Sequence, residues 1–187
     1  MKRHLSLWIG LLIAIVFVCT KSLAELPDGM LHLYFLDVEQ GDGYLLITPS
    51  GNRIVVDAGP ANNIVAPFRK AIGWMNDNID MVMLTHFDKD HAEGMLALLA
   101  NFHVKKLVIT GVEQRTALQH MIMARVVADH IPVTIAYSAT DFAVDHDVVM
   151  DLIWPMKSLA GKYGLDYILT QREKLLATEL PTNDYNW

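Results

Sequence analysis

Apolar and polar positions along the chain fall into short runs whose period changes several times. Residues 31–38 form an apolar, aromatic-rich run with strand character, and residues 44–48 and 53–56 form two more. Pro49-Ser50-Gly51-Asn52 carries turn chemistry between the last two, so they are expected to pair as a hairpin. Asp57-Ala58-Gly59-Pro60 then stops the third strand. Asn63 is placed to cap a helix reaching about Trp74, with Val65, Phe68 and Ile72 on one face. Residues 81–84 are entirely apolar, as in a strand buried on both faces. A polar loop, residues 85–91, leads into a helix over about 92–102. A strand at 106–110, a helix at about 113–130 and strands at 133–137 and 148–154 follow. Beyond Lys157 the pattern weakens, apart from a helix-like stretch at 167–177. Strands first, then alternating strands and helices, predict one layered α/β domain around a mixed sheet.

The first residues have a different character. Lys2, Arg3 and His4 precede an apolar run, residues 5–19, and Ser22-Leu23-Ala24 offers small residues where a leader is cleaved. Residues 1–24 therefore read as an export signal and residues 25–187 as the domain, periplasmic or secreted. The run is shorter than the ~20 residues that span hydrocarbon, so no stable membrane span is expected after cleavage. An uncleaved N-terminal anchor is the other reading. Cys19 lacks the small residue that should precede a lipid-attachment cysteine, and as the single cysteine it excludes an internal disulfide framework.

Charge narrows the function classes. The chain has 15 Lys and Arg against 21 Asp and Glu, and residues 1–24 hold three of those bases and no acid. So acidic a body argues against a dedicated nucleic-acid-binding surface, which needs clustered bases. It leaves open an enzyme that meets a phosphate through bound metal.

The chemistry concentrates in Thr85-His86-Phe87-Asp88-Lys89-Asp90-His91. His86, Asp88, Asp90 and His91 are four potential ligands within six residues, and alternate residues of an extended loop point the same way. Imidazole nitrogen with carboxylate oxygen suits zinc, manganese or iron. Two such ions would provide a hydroxide nucleophile at neutral pH. The loop follows a buried strand, where open α/β sheets place their ligand crevices. The plain alternative is a solvated loop in which Asp90 caps the following helix.

Phe35-Leu-Asp-Val-Glu-Gln-Gly-Asp42, Ile54-Val-Val-Asp-Ala-Gly59 and Met83-Leu-Thr-His-Phe-Asp-Lys-Asp-His91 together resemble the metallo-β-lactamase superfamily. Asp88, where most of the superfamily has a second His, resembles the ComEC-like hydrolase branch. The resemblance implies an αββα sandwich binding two divalent ions, zinc or manganese, with Asp88 tilting the first site toward manganese. By position, His86 and Asp88 would serve the first ion, and Asp90 and His91 the second. Asp90 would also orient the attacking water, and is the expected catalytic residue. Asp57 would hold the ligand loop, and Asp42, with Gln40, would lie near the site. Glu39 stands where the branch has Gly, which implies altered dihedrals there. Ala92-Glu93-Gly94 and Phe87 are further departures, and none removes a ligand. The branch's later bridging Asp and late His have no counterpart before Trp187, so about the first two-thirds of the domain is expected here.

The resemblance implies a hydrolase of phosphodiester-type substrates, small molecules or nucleic acid. A non-catalytic remnant and a β-lactamase-like amide or ester hydrolase are the alternatives. The remaining histidines carry plainer readings: His32 on a strand, His120 on a helix, His103 and His130 at helix ends. Asp145-His146-Asp147 reads as a hairpin turn, and the methionines, among them Met81, Met83, Met121 and Met123, as core filling.

Overall fold

The runs at 53–56 and 81–84 become strands of the expected length, whereas those at 31–38, 106–110, 133–137 and 148–154 become shorter ones. The computed structural model describes residues 2–161 except 25, 75 and 139. The expected leader is a helix, α1 (Lys2–Ala24), whose residues 7–20 are all exposed, Trp8 and Phe17 among them. Its apolar surface is therefore not part of the core. Among the described residues no helix is long and apolar enough to cross a membrane.

Strands β1 (His32–Phe35), β2 (Tyr44–Ile47) and β3 (Arg53–Val56) form an antiparallel meander, with the expected hairpin between the last two. Then come α2 (Val65–Ile72), β4 (Asn78–Ile79), β5 (Met81–Leu84), α3 (Lys89–Ala92), α4 (Gly94–Asn101) and β6 (His103–Val104). The described elements end with β7 (Leu107–Ile109), α5 (Ala117–Ala128), β8 (Val133–Ile135), β9 (Phe142–Asp145) and β10 (Val148–Met150). One mixed sheet runs β1-β2-β3-β5-β7-β8, parallel from β3 onward, as the alternation of strands and helices predicts. The helix-like stretch at 167–177 lies outside the described residues.

Register divides the sheet into two apolar faces. Leu45, Val55, Val82, Leu84 and Leu107 share one face and pack with Phe68 of α2, Met95 and Leu98 of α4, and Ile122 and Val126 of α5. Phe68 meets Phe102 edge to face at 4.8 Å, a contact worth roughly 1 kcal/mol beyond its burial. Ile54, Met81, Met83 and Val108 form the other face, beneath Phe142 and Val144 of the β9–β10 hairpin. Among the described residues this hairpin is the layer opposite the helices. The fold is that of a metallo-β-lactamase-like α/β protein, helices over one face and strands over the other.

Several local expectations are corrected. Asn63 does not cap α2: Ile64 holds that position, and the Asn63 amide donates to the Val38 carbonyl and to Glu39, both at 3.2 Å. The helix expected over 92–102 is α4, and a short α3 precedes it within the loop, the two separated at Glu93 where Gly94 N donates to Gly59 O at 2.9 Å. Helix α5 starts at Ala117 because Thr116 caps it, accepting from Gln119 N. His103 lies in β6 beyond α4, and Met121 is exposed, while Met81 and Met83 are buried. Glu39 adopts φ 69°, so the side chain has not driven the backbone out of the left-handed region that glycine enters freely. Strand β9 was not anticipated, although the turn at Asp145-His146-Asp147 was.

Asp145 ties the hairpin to the β2–β3 turn: its carboxylate accepts from Ser50 N at 2.8 Å, beside Asn52 Nδ2 donating to Val144 O at 2.8 Å. Hydrogen bonds from the Thr48 side chain and Ser50 hold its carboxyl below the usual carboxylate range. A depressed folded-state value stabilises fully above the unfolded value of about 3.9 and is lost as pH falls through the folded one. Amide-exchange protection of Ser50 and the hairpin is thus expected to persist below pH 4, then fail. Asp145→Ala should remove it at neutral pH, and equal protection in the variant would refute the anchor.

Candidate metal centre

Strands β3 and β5 are parallel neighbours, so their carboxyl ends deliver residues 57–60 and 85–91 to the same edge of the sheet. The loop after β1 completes the site. Backbone hydrogen bonds join the three: Asp42 N to Asp90 O (3.3 Å), Gly59 N to Asp42 O (2.9 Å) and Ala58 N to His91 O (2.7 Å). Gly41, at φ 85°, lies so close that a Cβ there would run into the Asp90 carbonyl. A side chain at either Gly41 or Gly94, whose Cβ would strike Ala58 O, would force the loops apart.

Asp57 is the fixed point of this arrangement. It is 2% exposed and adopts φ 54°, a conformation costly for a non-glycine residue and held here by its surroundings. Its Oδ1 accepts from Thr85 N at 2.8 Å, and its Oδ2 accepts from Thr85 Oγ1 at 2.7 Å. His91 Nδ1 lies 3.0 Å from the same Oδ2. A carboxylate so occupied ties the loop of residues 85–91 to the end of β3.

The four residues of the His/Asp loop come together. His86 and His91 lie with ring centroids 4.1 Å apart and planes at 46°. His86 Nε2 is 3.3 Å from Asp88 Oδ2, and His91 Nε2 is 3.9 Å from Asp90 Oδ2. At the Nε2 atoms His86 thus faces Asp88 and His91 faces Asp90, whereas the shortest aspartate approach to His91 is that of Asp57 to its Nδ1. Asp88, not Asp90, occupies the cap position of α3, and its side chain makes no cap hydrogen bond. Its carboxylate is turned instead to His86 and to Gln114, whose Nε2 donates to Asp88 Oδ1 at 3.0 Å. Asp42 stands on the other side of His91, with Oδ2 3.7 Å from Nδ1. Ligand atoms of Asp42, Asp57 and His91 lie within 4.8 Å of one another. Gln40 is exposed.

Residues present suit a divalent cation. Each histidine has Nδ1 engaged within the protein, which leaves Nε2 for a ligand, the arrangement typical of metal-bound imidazoles. Hard carboxylate oxygens stand beside both Nε2 atoms, a mixed set suited to zinc or manganese.

Three contributors escaped the sequence. Thr85 binds both Asp57 and His86, and its position next to His86 is the one signal of this in the residues. Tyr44 donates to Asp42 Oδ1 at 2.9 Å, and that bond to a carboxylate raises its phenol above the ordinary value. Gln114 lies 26 residues from Asp88, and no sequence pattern links them. Beside His86 opens an apolar cavity of about 370 Å³, lined by Met83, Val108 and Leu152 together with Thr85 and Thr110.

A mixed sheet with histidines and aspartates at the carboxyl ends of its parallel strands defines a metal-binding α/β protein. Residues 36–164, more than half of the chain, match the metallo-beta-lactamase superfamily, and the chain belongs to it. Members of that superfamily are generally metal-dependent hydrolases. The chain is also 31% identical over 55 residues to ribonuclease Z of Clostridium kluyveri. That match covers 29% of this chain and 17% of the ribonuclease Z, so it speaks for a shared segment only.

Proposed function

We propose that this protein is an exported metal-dependent phosphodiesterase of the ComEC-like branch, with a dinuclear site formed by His86, Asp88, Asp90 and His91. The observation that carries it is the pairing of His86 Nε2 with Asp88 and His91 Nε2 with Asp90, each ring tied at Nδ1. Divalent ions held there, zinc or manganese, would activate water at neutral pH and neutralise charge on a phosphoryl group. The chain's own residues do the rest. Asp57 and Thr85 keep both imidazoles oriented, and Gln114 holds Asp88. Asp90 offers an oxygen to orient the attacking water and take its proton.

Similarity to a ribonuclease Z segment supports a phosphodiester substrate over an amide or ester. The acidic body argues that phosphate is met at the centre itself and not on a basic surface. Export is supported by the basic start, the apolar helix standing clear of the core and the small residues that follow it.

The test is metal content together with hydrolysis of bis(p-nitrophenyl) phosphate. About two zinc or manganese ions per chain are expected, with activity removed by chelation and restored by the same ion. A chain that takes up no metal, or hydrolyses the diester equally well in chelator, would defeat the proposal.

A further inference from the structure

Counting protons around Asp57 decides which nitrogen of each histidine bears hydrogen. The Thr85 hydroxyl has one proton and two neighbours, Asp57 Oδ2 at 2.7 Å and His86 Nδ1 at 2.9 Å. An ionised carboxylate only accepts, so the hydroxyl proton goes to Asp57. The hydroxyl oxygen is then an acceptor toward His86, whose Nδ1 must supply the hydrogen. His91 Nδ1, 3.0 Å from the same Oδ2, must do likewise.

We propose that Thr85 is a positioning residue, a hydroxyl relay through which the single carboxylate of Asp57 sets the tautomer of both site histidines. His91 is set directly and His86 through Thr85. Both rings then keep Nδ1–H and turn an Nε2 lone pair toward Asp90 and Asp88. The inference deepens the metal-centre reading and rests on it for its purpose, while the tautomers themselves can be read without metal.

The relay predicts an asymmetric response. In the metal-free full chain, ¹⁵N-labelled at histidine, long-range ¹H–¹⁵N spectra at a pH where the rings are neutral should show Nδ1–H at both positions. Assignments come from His86→Asn and His91→Asn. Thr85→Val keeps the shape and deletes the hydroxyl, so His86 should move toward the Nε2–H form while His91 stays. Thr85→Ser should preserve both. Zinc affinity, measured by competition with a chromophoric chelator, should fall about 10- to 100-fold in Thr85→Val and stay near wild type in Thr85→Ser.

An Nε2–H form of His86 in the wild-type protein would overturn the relay, and that spectrum needs no variant to fold. An unchanged His86 in Thr85→Val would do the same, as would both histidines moving together without rescue by serine. If the tautomers behave as stated but no zinc binds to the wild-type chain, the relay stands and the metal-centre reading falls.

Discussion

Replacing His86 by alanine is expected to abolish metal-dependent diester hydrolysis, by about a thousandfold or more, with little change in the stability of the metal-free protein. His86 belongs to a loop at the edge of the sheet, and its ring is held by Thr85 and by a tilted contact with the His91 ring, not by the apolar core. Removing it therefore takes away a nitrogen ligand without opening a core cavity. Asp90→Asn is expected to act as strongly. It keeps the side chain's volume and the backbone bond from Asp42 N to Asp90 O, but removes the charge that pairs with a cation and the oxygen that takes a proton. Kinetics with bis(p-nitrophenyl) phosphate, beside metal analysis and thermal unfolding, separate these effects. Full activity in either variant would show that the reaction takes place elsewhere.

The second large effect concerns stability. Asp57→Ala is expected to destabilise the metal-free protein by about 3 kcal/mol, since three donors lose their acceptor in a site that water reaches poorly. Hydrogen bonds to a charged group are worth more than neutral ones, and a donor left unmatched costs its full desolvation. The loop that carries both histidines would lose its anchor at once, so metal affinity should fall as well. Urea unfolding of the metal-free chain measures the first effect and zinc competition the second. A loss below about 1 kcal/mol would mean that Asp57 is a bystander, and the account of the loop would have to be rebuilt.

The two variants probe different layers of one construction. His86 faces the expected ligand, whereas Asp57 faces the protein and acts through Thr85 and His91. If Asp57→Ala removed activity while leaving stability untouched, its carboxylate would belong with the ligands, and Asp42, Asp57 and His91, whose ligand atoms lie within 4.8 Å, would be the group to examine.

Much of this was legible in the residues. The alternation of apolar runs with turn and helix signals placed the β2–β3 hairpin, the buried strand Met81–Leu84 and the succession of strands and helices along the chain, because each is a local consequence of side-chain period. The His/Asp loop was legible for the same reason: its four residues are consecutive or nearly so, and chain geometry alone keeps them near one another. Asn63 is a capping residue by type, yet type alone does not place a cap. In the fold its amide is taken by Val38 and Glu39, from a loop 25 residues away. The helix expected over 92–102 is present as α4, but the short α3 before it has no signal in the residues, since the contact from Gly94 to Gly59 that separates the two is tertiary. Strand β9 escaped because its pairing with β10 and its anchorage to Ser50 and Asn52 are tertiary facts.

By itself, then, the sequence determined which residues could bind a metal, where the chain would turn and which strands would be buried, all properties of neighbours along the chain. The tertiary structure alone decided how those residues face one another. Parallel pairing of β3 with β5 brings Asp57 beneath Thr85 and His91, and glycine at 41 lets a third loop close over Asp90. Gln114 reaches Asp88 from the loop between β7 and α5. Hydrogen bonds fix a donor to an acceptor over about 3 Å, a range that sequence spacing cannot resolve once the partners lie on different strands.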